Sequence, residues 1–110
     1  MASDVMQSFE LSDLLERHEA TSKLWMEFLR VPSLSAGIYR LPAGSTDPQQ
    51  PHTEDEVYYV ISGAGSFTCA GETISASAGS TIYVAAQAEH RFHNITEDLS
   101  ILVLFAPAEG

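Results

Sequence analysis

The spacing of apolar positions changes at about residue 21 and divides the chain in two. Before that point Leu11, Leu14, Leu15 and His18 recur at helical spacing and make a narrow stripe, which predicts a short helix over about residues 11–19 lying against the outside of the domain. Ser12 is the expected N-cap, with Asp13 and Glu16 placing negative charge in the first turn, where the macrodipole favours it. Residues 1–8 carry no such pattern and are expected to fray; His18 is expected at the surface, near the helix C-terminus. From Thr21 the period is two. Leu24, Met26 and Phe28 alternate with Lys23, Trp25 and Glu27, so a strand should bury the first three and turn Trp25 to the opposite, exposed face. Pro32 breaks the run, a second strand spans Leu34 to Leu41, and Pro42-Ala43-Gly44 makes a turn.

The stretch from Gly44 to Gly63, GSTDPQQPHTEDEVYYVISG, then passes without a break from a polar segment into a β-branched and aromatic strand. Further strands are read at Ser66 to Ala70, Thr73 to Ser77, Thr81 to Ala85, Arg91 to Ile95 and Leu99 to Ala106, with turns at Gly71-Glu72 and Gly79. Short strands at this spacing, separated by glycine-bearing turns, predict an all-β sandwich or barrel. Pro107 and the final Ala108-Glu109-Gly110 are expected to leave that end of the chain free.

At 110 residues the chain is read as one domain, residues 1–110, with an N-terminal extension over 1–20 and a barrel over 21–106. The one cysteine, Cys69, rules out a disulfide framework and a thiolate zinc cluster, and suits a reducing compartment. The first ten residues have neither a basic start nor an apolar run, so the protein is expected to be soluble and cytoplasmic. Five basic residues against fifteen acidic ones give a net charge of −10, which argues against nucleic acid and anionic membrane as partners. Trp25 on an outward face and the apolar run Leu99 to Phe105 exceed what a small barrel should bury, and a homodimer is expected to cover them.

Two sets of side chains carry chemistry. Gln50, His52 and Glu56 occupy even positions, and on an extended chain they share a face with Tyr58 and Val60. An imidazole, a carboxylate and an amide together suit a mid-to-late first-row divalent metal. His90, Phe92 and Asn94 form a second set of period two. If both segments are antiparallel strands of one barrel, His90 completes two imidazoles and a carboxylate with His52 and Glu56, the facial arrangement that leaves positions open on non-haem Fe(II). His93 has the opposite parity and is expected outside that set.

These two stretches resemble the motifs of the cupin superfamily. The first family motif is Gly, five residues, His-x-His, three or four residues, Glu, six residues, Gly; this chain has Gly44, five residues, Gln50-Pro51-His52, three residues, Glu56, six residues, Gly63. The second is Gly, five residues, Pro-x-Gly, two residues, His, three residues, Asn; this chain has Gly79, five residues, Ala85-Ala86-Gln87, two residues, His90, three residues, Asn94. The departures are Gln50 for the first histidine and Ala85 and Gln87 for the proline and glycine. The resemblance implies a cupin double-stranded β-helix, a jelly-roll barrel open at one end. It makes His52, Glu56 and His90 metal ligands, with Gln50 at the fourth position, and it selects Glu56 over Glu54 by spacing.

It also implies a divalent metal ion, Fe(II) first, with Mn, Ni, Zn or Cu as other occupants. A divalent ion with one carboxylate has a net charge near +1, so a small anionic organic ligand is expected, in a pocket lined by Tyr58, Val60, Phe92 and, further, Tyr39, Phe67 or Tyr83. The first functional expectation is a mononuclear metalloenzyme of dioxygenase type, with Tyr58 as the nearest acid or base. A non-catalytic small-molecule binding or regulatory cupin, and a metal-dependent isomerase or lyase using Tyr58 and Glu54, are the alternatives.

Overall fold

The computed structural model describes residues 5–110. One helix, α1 (Leu11–Thr21), precedes six strands: β1 (Trp25–Val31), β2 (Leu34–Leu41), β3 (Asp55–Cys69), β4 (Glu72–Ser77), β5 (Thr81–Val84) and β6 (His90–Ala106). They pair antiparallel in the order β1-β2-β6-β3-β4, with β5 also on β3. Two long strands organise the sheet. β3 lies along β6 from Asp55–Ala106 to Cys69–His90; its first half also pairs with β5 and its second half with β4, so the sheet folds over on itself as a double-stranded β-helix.

The fold-over depends on irregularities in both long strands. On β3 the inward residues are Glu56, Tyr58 and Val60, but after register shifts between Val60 and Ser66 the inward residue is Phe67. An extra residue in one strand reverses which parity faces the core. Gly63 lies in this crease at φ 99, where a side chain would run into the Asp98 carbonyl of β6. On β6, His90 and Phe92 point inward, Asn94 takes the left-handed conformation at φ 47, and Ile95, Leu99, Ile101, Val103 and Phe105 then face the core. Parity reversals resemble strand ends in a sequence, which is why each long strand was expected as two shorter ones. The hairpin after β3 turns at Ala70-Gly71, both with positive φ, so Glu72 already belongs to β4.

Tyr58, Val60, Phe67, Phe92, Leu41, Leu99 and Ile101 fill the barrel. A second layer lies outside β2, where Ala36 and Ile38 are buried on the side of α1. Here two expectations are corrected. Glu10, not Ser12, stands at the N-cap position of α1, and it caps with no side-chain hydrogen bond. His18 is buried rather than at the surface, because its Nε2 donates to the Leu24 carbonyl at 2.7 Å and ties the helix to the entry of β1.

Trp25 is also reversed: it packs inward, its ring centroid 5.9 Å from Phe105 and 6.5 Å from Tyr39. Gly37 on β2 makes this possible, since any side chain there would occupy the space of the indole. Met26 and Phe28 are half-buried on the other face, Phe28 against Phe9 at 4.9 Å. Both faces of β1 are therefore partly covered, so alternation could not tell which one faces the barrel. The run Leu99 to Phe105 needs no partner for its inward half, because Leu99, Ile101, Val103 and Phe105 are core residues of a strand flanked by β2 and β3. Of the segment expected to fray, residues 1–4 lie outside the described residues, and residues 5–8 are exposed.

The last residues do not hang free. The Ala106-Pro107 peptide is cis, and the following residues fold back on the barrel mouth. Ala108 N–H donates to the Pro32 carbonyl, Glu109 N–H to Ser35 Oγ at 2.9 Å, Arg30 Nη2 to the Glu109 carbonyl at 2.6 Å, and Gly110 N–H to Glu54 Oε2 at 3.0 Å.

Candidate metal centre

Three side chains converge at the mouth of the barrel: ligand atoms of His52, Glu56 and His90 all lie within 4.8 Å of one another. Glu56 is fixed between Val84 of β5 and Phe105 of β6. His90 begins β6 opposite Cys69, and its Nδ1 donates to the Ala88 carbonyl at 2.8 Å, which leaves Nε2 aimed into the barrel. His52 lies in the loop before β3, where its carbonyl accepts the Gln87 N–H at 2.7 Å and joins the two motif segments. Gln87 takes φ 68, a conformation glycine adopts freely and other residues hold at a cost of about 1 kcal/mol.

His90 Nε2 and Glu56 Oε1 are 2.9 Å apart, yet they lack the alignment of a hydrogen bond, and among the described residues neither this nitrogen nor either Glu56 oxygen has a hydrogen-bond partner. Buried polar atoms are almost always satisfied, and a lone buried carboxylate costs several kcal/mol or changes its protonation. Ligand atoms of three residues within 4.8 Å of one another could hold one ion, and two imidazoles with one carboxylate are a donor set for a divalent first-row ion. The rings of Tyr58 and Phe67, each with its centroid 6.0 Å from that of His90, wall the site on its inner side. Burial pulls the His90 pKa down, but the Glu56 carboxylate beside one ring nitrogen and the Ala88 carbonyl on the other outweigh it and leave it raised.

Gln50 is not part of this cluster. Its side chain is exposed, and its neighbour Gln49 enters instead: Gln49 Oε1 accepts from the Tyr58 hydroxyl at 2.9 Å and lies 3.4 Å from His52 Nε2. The segment before Asp55 is a loop held between Pro48 and Pro51, not an extended strand, so alternate positions do not share a face there. A residue unmarked by the sequence arranges this loop. Asp47 is buried; its carboxylate accepts from Tyr39 Oη at 2.6 Å, Phe92 N–H at 2.9 Å, Gln49 N–H at 3.1 Å and Gln49 Nε2 at 2.7 Å, which turns Oε1 of that amide toward the site. An aspartate before a proline reads as an ordinary turn residue, so only the β6 amide it reaches reveals its role.

Tyr58 is buried with its hydroxyl on Gln49, and burial first, then the charge of Glu56, raise its pKa far above the usual phenol range. It is a hydrogen-bond donor here, not a base. Burial and Asp47 do the same to Tyr39. Glu54 is buried away from the cluster, held by Thr53 Oγ1 and the Gly110 amide, and its pKa is lowered chiefly by the Thr53 hydrogen bond. Tyr83 is exposed on the outer face, His93 bonds Thr68 Oγ1 at 2.7 Å, and Asn94 serves the backbone rather than the site.

A cavity of about 100 Å³ adjoins the cluster, lined by Trp25, Tyr39, Gln49, His52, Val103, Phe105 and Glu109. Its walls are mainly apolar and carry no lysine or arginine. Glu109 reaches in from the folded-back segment, with Oε2 3.1 Å from His52 Nδ1; burial raises its pKa, and His52 partly opposes that. A larger hollow of about 730 Å³ beside α1 includes none of the three converging residues, whereas one of about 280 Å³ at the β3–β4 turn is bordered by His90.

The fold and this cluster define the class: a single double-stranded β-helix with a His/Glu/His group at its mouth. Residues 37–105 match the model of the cupin domain family, and the chain belongs to that family. It is 44% identical over 105 residues to the uncharacterized protein SCO3923 of Streptomyces coelicolor, covering 96% of this chain and 100% of that one. Among solved structures, an RmlC-like cupin family protein of Methanocaldococcus jannaschii is similar with TM-score 0.73 at 19% identity, over 96% of this chain and 94% of the other. KdgF of a Halomonas species is similar with TM-score 0.69 at 23% identity, over 76% of each chain. The match to the DMSP lyase DddQ of Ruegeria pomeroyi has TM-score 0.65 at 23% identity, over 69% of this chain and only 39% of that one. No described helix is long and apolar enough to cross a membrane.

Proposed function

We propose that this cupin binds one divalent first-row metal ion through His52, Glu56 and His90, and that it is a small metalloenzyme of dioxygenase type, with Fe(II) as its metal. The observation that supports the metal is the buried Glu56 carboxylate, without a hydrogen bond, whose ligand atom lies within 4.8 Å of those of His52 and His90. Such an ion supplies Lewis acidity and, as Fe(II), reactivity toward dioxygen. The chain's own residues bind and shape. Gln49 and Tyr58 place a neutral acceptor and a neutral donor beside His52, and Trp25, Val103 and Phe105 give apolar walls to a space that admits a few non-hydrogen atoms.

The oxidative reading is preferred to a lyase or isomerase because those reactions need an acid/base pair. Tyr58 stays protonated, and Glu54 is turned away on Thr53 and Gly110. Glu109 also changes the expected ligand. Its carboxylate offsets the charge near +1 that would have attracted an anion, so a small neutral molecule with an apolar body fits better than a free anion. The single free Cys69 supports a reducing, cytoplasmic setting.

The test is metal analysis of protein purified without an affinity tag, beside His52→Ala, Glu56→Ala and His90→Ala. The wild type should carry close to one ion per chain and each variant far less; equal content in all four would sink the site. Oxygen uptake by the Fe(II)-loaded protein with small neutral carbonyl compounds then separates the oxidative reading from the others. Turnover without oxygen uptake would favour the lyase or isomerase, and ligand binding without turnover a binding module.

Self-association belongs to the same proposal on new grounds, since Trp25 faces inward. On the outer face of β5, β3 and β6, Val57 lies in register between Tyr83 and Leu104, and Tyr59, Tyr83 and Leu104 are 45%, 63% and 40% exposed. A second copy would cover this apolar strip.

A further inference from the structure

The cavity beside the cluster holds about 100 Å³, whereas a benzene ring occupies an apolar cavity of about 150 Å³. At the same filling, about 100 Å³ takes roughly four non-hydrogen atoms. The apolar walls differ in what holds them. Tyr39 is pinned by its 2.6 Å hydrogen bond to the buried Asp47 carboxylate, and Val103 and Phe105 are core residues of β6, a strand paired on both sides. None of the three can give way to a larger guest without disturbing the barrel. Trp25 stands apart from them. It opens the edge strand β1, in register with Tyr39, and it is only half-buried, so its indole has the cavity on one side and solvent on the other.

Gly37 fixes where that indole lies. It sits in register between Glu27 of β1 and Val103 of β6, and a methyl group built on it would run into Cη2 and Cζ2 of Trp25. The six-membered ring of the indole therefore lies over Gly37, in space that any other residue would fill with its own side chain, and it closes the cavity on the β1 side next to Val103. Its edge contacts with Phe105 and Tyr39, at 5.9 and 6.5 Å between centroids, hold it in that place.

We propose that Trp25 is the specificity-determining residue of this site: its indole, laid over Gly37, limits the ligand to a compact molecule and shuts out six-membered rings. This role rests on the reading above that a small neutral molecule occupies the cavity, and adds what sets the limit on its size; it does not require the metal.

The experiment uses the full chain and two ketones as probes, acetone, which fits the space, and cyclohexanone, whose ring exceeds it. Methyl NMR of Val103 reads binding from inside the cavity. In the wild type acetone should shift the Val103 methyls saturably and cyclohexanone should bind at least about tenfold more weakly. In Trp25→Ala the order should reverse, with cyclohexanone gaining at least about tenfold, because the larger guest buries more apolar surface in the space the indole leaves. Trp25→Phe keeps a ring on Phe105 and should move the ratio in the same direction by less; if the alanine variant does not fold, this one carries the test. A merely structural wall predicts lower melting temperatures with the ratio of the two affinities unchanged, and that result would overturn the proposal. So would Val103 methyls that respond to neither ketone in any of the proteins. The NMR signal does not report on metal, so a wild type that carries no ion yet keeps this size order supports the role of Trp25 while the metal reading fails.

Discussion

At the scale of single residues, the pair Gln49 and Gln50 separates what spacing reveals from what conformation decides. Motif spacing selects Gln50, but the loop between Pro48 and Pro51 turns it outward and delivers Gln49 to His52 and Tyr58. Gln50→Ala should therefore leave metal affinity within about twofold of wild type. Gln49→Ala should weaken it by up to about tenfold, about 1.4 kcal/mol, as the oriented amide is lost. Competitive metal titration of the two variants checks this, and a larger loss for Gln50→Ala would restore the spacing argument. That His52, Glu56 and His90 come together was legible because the chain has only four histidines and the separations match a known pattern. Asp47 and Glu109 were not. Each acts across a long sequence separation, Asp47 on the Phe92 amide and Glu109 on His52, and no local pattern marks such a contact.

At the scale of elements, composition and turns were enough to foresee six strands' worth of β structure and one outer helix, but not strand continuity. β3 and β6 each change parity partway along, and an alternating pattern that reverses looks like two strands. The reversal in β6 depends on Asn94 at φ 47, where asparagine is tolerated and a β-branched residue is strained. Asn94→Val should destabilise the fold by about 1–2 kcal/mol, and Asn94→Gly by less, as read from urea unfolding midpoints. If valine were tolerated as well as glycine, the bulge would owe nothing to the left-handed backbone. β1 was misread for a different reason. Its two faces are both partly covered, one by the barrel and one by the N-terminal segment, so hydrophobicity alone carried no direction.

At the scale of the whole molecule, turning Trp25 inward moves the expected contact between copies to the strip formed by Tyr59, Tyr83 and Leu104. Light scattering at micromolar concentration should give a dimer, and Tyr83→Glu should shift it toward monomer with metal content unchanged. A monomeric wild type would count against the pairing. The inward Trp25 has one more consequence. It is the sole tryptophan in the chain, and its indole lines the cavity that His52 and Glu109 also border. Its emission is thus a built-in optical gauge of that space, sensitive to a quenching ion or a displaced water a few ångströms away. Occupancy of the site can be followed in the unlabelled protein, without first knowing what it turns over.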